Sequence, residues 1–283
     1  MAGSSLIVPI VDGIAKLLSE SFSPLFIAWA RYAIATVIVM SIAFVRFKFK
    51  WNLFPRANLV AHFLRTLCLV VAMTLFFMAL QWTSLATAIT AYFSSPVIAM
   101  VLSVLILKER VSATKIVSLC LGMIGALVVL RPFAGGERGA ALALLAGVFH
   151  AIYLIATKLA VKESDPIKTL AFQYVVGTAL LTPQAAMTFN AHSSNLAWLF
   201  VALGVLSALA HFLTILAFQY AEASMLSPLV YLELIGATFF GLIVFGNVPD
   251  PPTIIGAVFI AAAGLILHRT RSAMPEMPQY RSD

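Results

Sequence analysis

The chain has 283 residues, of which 62% are hydrophobic and only 10% charged, with a formal net charge of +7. A soluble domain carries about a quarter charged residues, so a mean hydropathy of +1.02 excludes a water-facing globule and requires an exterior that meets lipid. The basic residues lie between apolar runs rather than on one patch, which argues against a nucleic-acid partner and for membrane topology.

A helix needs about 20 apolar residues to cross the hydrocarbon core. On that ruler the chain carries ten candidate spans: 5–20, 24–45, 58–82, 86–107, 112–130, 139–161, 167–188, 196–220, 224–246 and 252–268. The runs are continuous rather than alternating, which excludes a lipid-facing barrel. Short connectors hold the breakers: Ser23-Pro24, Phe54-Pro55, Pro132 with Gly135-Gly136, Asp165-Pro166, Asn190 to Asn195, and Pro249 to Pro252. The first span is short and contains Asp12 and Lys16. No basic stretch precedes it and no small-residue cleavage site follows, so a cleavable signal peptide is not expected. Cys68 and Cys120 both lie in apolar runs, which leaves neither a disulfide framework nor a metal cage in prospect.

With both termini in the cytoplasm, the cytoplasmic segments hold Arg46, Lys48, Lys50, Arg56, Lys108, Arg110, Lys115, Lys162, Lys168, Arg269, Arg271 and Arg281. The outer segments hold Arg131 and Arg138. That bias follows the positive-inside rule and places the chain in a bacterial inner membrane with both ends inside.

Internal repetition sharpens this. At an offset of 142, Lys16, Pro24, Tyr32 and Thr36 fall on Lys158, Pro166, Tyr174 and Thr178. At an offset of 138, the run Ala79-Leu80-Gln81-Trp82 falls on Ala217-Phe218-Gln219-Tyr220, and Arg131 falls on Arg269. The expected fold is an all-α membrane protein of ten transmembrane helices in two inverted five-helix repeats around a central cavity. The expected domains are a first repeat over 1–131, a second, inverted one over 139–271, and a polar cytoplasmic tail over 272–283. An odd number of spans per half forces the inversion, a recurring build among secondary transporters.

The segment Tyr92-Phe93-Ser94-Ser95-Pro96-Val97 through Leu107-Lys108-Glu109-Arg110, followed by Gly122, Gly125 and Arg131-Pro132, resembles the EamA-like branch of the drug/metabolite transporter superfamily. The opening Asp12-Gly13-x-x-Lys16 with Trp29-Ala30-Arg31-Tyr32 is similar to one subgroup of it. The second half departs from the pattern, with Gly246-Asn247-Val248 in place of the Glu-Arg loop and Glu233-Leu234 where Glu-Pro is usual. The resemblance implies a ten-helix carrier with a central cavity lined by helices 1, 3, 4, 6, 8 and 9. Members move amino acids, nucleotide-linked or vitamin-like metabolites and toxic compounds, so it implies the reaction type and leaves the cargo open.

Ionisable groups at bilayer depth are costly and default to function. His150, Tyr153 and Thr157 share one helical face, and Ser207, His211, Thr214 and Phe218 share another. The bland alternative is that each histidine bonds a backbone carbonyl on a neighbouring helix. Asp12 and Lys16, at i and i+4, either pair with each other or meet a zwitterionic cargo. Tyr92, Ser94 and Ser95 flank Pro96, and Ser227 adjoins Pro228 with Tyr231 beyond it, where kinks bare polar backbone tolerable only beside protein or a wet cavity. Glu233 stands alone near the middle of the ninth span, as a proton exchanger or as a neutral acid bonded to another helix. Arg31 and Arg65 are expected to snorkel to the headgroups. Gly122, Gly125, Gly256 and Gly264 are expected at close helix contacts. The candidate cargo-binding set is therefore Asp12, Lys16, Tyr92, Ser95, His150, Tyr153, Thr157, His211 and Tyr231, with Glu233 for proton coupling.

No Walker loop, His-Glu-x-x-His or Gly-x-Ser-x-Gly occurs, so no enzyme activity, cofactor or metal is expected. The leading reading is a secondary transporter exporting an amino acid or related small polar metabolite by alternating access. The alternative is uptake of a vitamin or cofactor-like metabolite. A third class is an intramembrane enzyme acting on lipid head groups, with His150, His211 and Glu233 as acid–base groups. The expected partners are the cargo, membrane lipid and protons as coupling ion, with the chain a monomer or weak dimer.

Overall fold

A computed structural model describes residues 1–48, 54–79, 81–83, 85–130, 137–161, 164–188, 196–246 and 248–272. The described residues hold ten helical segments, two of them broken. They are α1 (Ala2–Leu18), α2 (Pro24–Arg46), α3 (Leu59–Ala79), α4 (Leu85–Tyr92) continued by α5 (Ser95–Leu107), α6 (Ala113–Leu130), α7 (Glu137–Ala160), α8 (Pro166–Thr188), α9 (Ala197–Tyr220), α10 (Ala223–Leu226) continued by a 3-10 turn (Ser227–Tyr231) and α11 (Leu232–Phe245), and α12 (Pro251–Ser272). Seven of these segments are long and apolar enough to cross a membrane, and α12 is a shorter apolar helix. The loops at Pro132 to Gly136 and Asn190 to Asn195, residue Asn247 and the tail from Ala273 lie outside the described residues.

The predicted breakers act as helix starts. Ser23 Oγ accepts from the Phe26 amide at 3.1 Å with Pro24 opening α2, and Asp165 Oδ1 accepts from the Ile167 amide at 2.8 Å ahead of α8. Asp250 Oδ1 does the same for Thr253 at 3.1 Å ahead of α12. Each satisfies amide donors that a helix start leaves without an internal partner.

Repeat-related segments pack on one another. α2 lies against α8 and α6 against α12, while the contacts of α3 with α7 and of α1 with α9 and α11 join segments that are not each other's repeat. Positions at equal register meet. Thr36 and Thr178 share a hydrogen bond of 2.9 Å, and the Tyr32 and Tyr174 rings cross edge to face at 5.1 Å. Tyr231 donates its hydroxyl proton to the Phe93 carbonyl at 3.2 Å, with the two rings 5.7 Å apart. A contact between equivalent residues is what a two-fold relation produces at its axis. Helix ends repeat too. Lys108 ends α5 and Gly246 ends α11, both left-handed at φ 57° and 67°, with their amides bonded to Ser103 O and Gly241 O. All three pairs stand 138 apart in sequence.

The glycine expectations divide. A Cβ on Gly125 would fall 2.7 Å from the Gly256 carbonyl, and one on Gly256 would fall 2.6 Å from that of Gly125, so α6 and α12 approach backbone to backbone. Gly122 gives its space to the Tyr231 ring. At Gly264 the nearest atom to a Cβ, on Leu232, lies 3.8 Å away, an ordinary contact with room for a methyl group. The snorkelling expected of the two arginines is corrected: Arg65 is fully buried, and Arg31 is half-buried and turned inward.

Candidate functional site

The site forms where two spans break. Helix α4 stops at Tyr92, two residues turn, and α5 restarts at Ser95 with Pro96 in its first turn. The second break is the 3-10 turn through Ser227 and Pro228, after which Glu233 occupies the first turn of α11. Ser95 and Glu233 also stand 138 apart. The repeat therefore sets a serine and a carboxylate at matching helix restarts. The positive end of a helix dipole favours a carboxylate in its first turn, where Glu233 stands.

Helix α7 delivers its predicted face to the first break. The His150 ring lies 5.0 Å from that of Tyr92, and its Nδ1 is 3.0 Å from Ser95 Oγ. His150 stacks on Tyr153 at 5.7 Å. The Tyr153 hydroxyl lies 3.3 Å from His211 Nδ1 on α9, and the His211 ring is 6.0 Å from Tyr174 on α8. Tyr174 meets Tyr32 on α2. A continuous path of aromatic and imidazole rings thus runs from the first break through the bundle to the α2–α8 contact. His150, His211 and Tyr92 keep partial exposure.

Charges bracket that path. Asp12 presents an exposed face of α1. Its charge acts on those of Arg31 and Glu233, and all three act on the Tyr92 hydroxyl. Arg31 places Nη2 2.8 Å from Met73 Sδ, a weak acceptor. Arg65 donates to Thr157 Oγ1 at 3.2 Å, Thr169 O at 3.4 Å and Gln173 Oε1 at 2.5 Å, with its guanidinium 5.6 Å from the Tyr153 ring centre. Among the described residues the ion pair is Lys115–Glu222, so these three acceptors and one ring face hold Arg65 with no carboxylate.

Of the residues expected from the sequence, Tyr92, Ser95, His150, Tyr153 and His211 come together by direct contact, and Asp12 and Glu233 join them by charge. Thr157 lies under Arg65 and bonds back to Tyr153 O at 2.7 Å. Tyr231 is fully buried between the two breaks, with its hydroxyl taken up by Phe93. Lys16, exposed on the last turn of α1, stands outside the path of rings. Thr214 of the second stripe bonds Ser4 on α1 at 2.7 Å. Helices α2 and α8 also reach the site, which the six-helix lining does not include. Sequence reasoning misses Tyr32, Tyr174, Arg31 and Arg65 as site residues, although the offset of 142 pairs the two tyrosines.

The loops at one end of the bundle are tied across the halves. Glu109 accepts from the Ala223 and Ser224 amides at 2.9 and 2.8 Å, and Lys115 pairs with Glu222 and donates to Ser224 Oγ at 2.8 Å. Within the second half, Lys158 donates to Phe218 O and Ala221 O at 2.9 and 2.6 Å at the same end. An open cleft of about 440 Å³ lined by Lys158, Gln219 and Tyr220 lies at this end, about two turns along α7 from His150.

The model of the EamA-like transporter family matches residues 1–131 and again 137–268. The S-adenosylmethionine uptake transporter of Rickettsia conorii is 30% identical over 267 residues, covering 93% of this chain and 89% of that one. The riboflavin transporter of Vibrio cholerae is 27% identical over 274 residues, covering 92% and 88%. A solved structure aligns with a TM-score of 0.82 over 96% of this chain and 97% of that chain, at 16% identity, and so shares the fold. An all-helical bundle with two broken spans, matched by the family model in both halves, identifies this chain as a membrane transporter of the EamA-like transporter family.

Proposed function

We propose that the protein imports a ring-bearing, positively charged metabolite of the cofactor or vitamin type across a bacterial inner membrane by alternating access. The observation that carries this is the run of Tyr92, His150, Tyr153, His211, Tyr174 and Tyr32 rings, which begins at Tyr92 beside Asp12 and Glu233. Aromatic faces stack on a flat heterocycle and attract a cation, and two carboxylates at depth call for a positive charge that cargo or a proton supplies. An adenosyl sulfonium offers both features. The relatives' names, uptake of S-adenosylmethionine and transport of riboflavin, favour the uptake alternative over export of an amino acid, which in general carries no heterocycle for these rings.

The halves 1–131 and 139–271 rock about the two breaks, with both termini and the Glu109 and Lys115 loops in the cytoplasm. Glu233 exchanges a proton as access alternates, which ties transport to the proton gradient. The test is uptake of radiolabelled S-adenosylmethionine into proteoliposomes, with riboflavin and amino acids as competitors. Saturable uptake that Asp12→Asn abolishes and Tyr153→Leu weakens roughly three- to tenfold is expected. Competition by amino acids without any uptake of the sulfonium overturns the reading.

A further inference from the structure

The α2–α8 end of the ring path holds polar atoms that nothing in the protein uses. Tyr32 and Tyr174 are fully closed off, yet neither hydroxyl has a partner. The same holds for Nε2 of the fully buried Gln173 and Oγ of Ser207, which is 2% exposed. Arg31 Nε is likewise buried and unbonded. All of these atoms can donate a hydrogen bond, and among the described residues Arg65 is held by Gln173 and meets no carboxylate. Both guanidinium charges act on Tyr32, Tyr174 and His211, which places the two arginines around one locus. Tyr32 and Tyr174 meet at equal register of the two halves, so a relative movement of the halves changes the space between them. Buried polar groups are normally bonded, and a group of orphaned donors beside two guanidinium groups is complementary to an anion.

Resting on the proposed import reading, we propose that Tyr32, Gln173, Tyr174 and Ser207, with Arg31 and Arg65, form a carboxylate subsite that closes on the acid end of a zwitterionic cargo. The site is then bipolar. Asp12 and Glu233 take the cationic centre, the rings take the heterocycle, and the donors at the α2–α8 contact take the carboxylate. The subsite selects an amino-acid conjugate over a neutral vitamin or a purely cationic analogue.

The experiment compares proteoliposome uptake of two probes, an adenosyl sulfonium amino acid and its decarboxylated analogue, in wild type, Tyr32→Phe/Tyr174→Phe and Ser207→Ala. These variants keep the packing and remove only orphaned hydroxyls, so their melting temperatures in detergent are expected to stay level or rise. The KM for the amino-acid probe is expected to rise at least about tenfold in the double variant, the worth of one of the two bonds to a charged group that it removes, with that for the decarboxylated probe unchanged. Equal change for both probes, or none for either, overturns the subsite. If Asp12→Asn still abolishes uptake of both, the import reading survives that failure. Wild-type protein that moves neither probe overturns the reading and the subsite together.

Discussion

His150 and His211 keep part of their surface exposed at mid-bundle, while Tyr153 between them is only 2% exposed. Single cysteines at 150 and 211, with Cys68 and Cys120 replaced by alanine, are therefore expected to react with a water-soluble thiol reagent and to be shielded by cargo. A cysteine at 153 is expected to react much more slowly, and equal labelling at all three positions contradicts the geometry. Glu233 begins a helix rather than sitting inside one, because the ninth span breaks before it. Glu233→Gln keeps the hydrogen-bonding shape there and removes the exchangeable proton. Uptake in that variant is expected to lose its dependence on an imposed pH gradient while cargo still exchanges across the membrane, and full retention of the dependence excludes Glu233 as the coupling group. The two histidines are legible as site residues because polar groups at helical spacing in an apolar run are costly unless they face a partner or a wet cavity. Arg65 is not legible. One to two turns into a span, an arginine reaches either the headgroups or the interior, and only the partners on α7 and α8 decide between them.

The same division holds among elements. Hydropathy and the Pro, Ser and Asp starts set the order and bounds of the segments to within a few residues. The breaks at Tyr92–Ser95 and Ser227–Tyr231 are visible only as proline kinks, since the pattern of apolar residues continues across each. The α6–α12 contact gives a direct test. Gly125→Ala would drive its methyl group into a backbone carbonyl, which cannot yield as a side chain can, and is expected to cost about 1–3 kcal/mol in a detergent melt. Gly241→Ala, with nothing within 4 Å, is the control and is expected to be neutral or slightly stabilising. At the end of α5 the left-handed residue is Lys108, where the matching position at the end of α11 has Gly246. A side chain strains that conformation and glycine does not. Lys108→Gly is accordingly expected to raise stability by up to about 1 kcal/mol, read in the same melt, and a fall contradicts the cap geometry.

For the whole molecule, the bonds of Glu109 and Lys115 to residues 222–224 join the two halves at one rim. Glu109→Ala strips two amides at the start of α10 of a charged acceptor, a loss of about 1.5–3 kcal/mol. A cysteine at 218, buried in this state, is then expected to label at least about tenfold faster from that rim, and an unchanged rate shows that the bonds do not hold it shut. The sequence at the matching position differs. The residue 138 beyond Glu109 is Asn247, which carries no charge to offer its partner half. Unequal latches make unequal doors: an empty carrier idles with the stronger one closed. On the orientation and import proposed above, that door faces the cytoplasm, and the idle protein is expected to wait open to the periplasm.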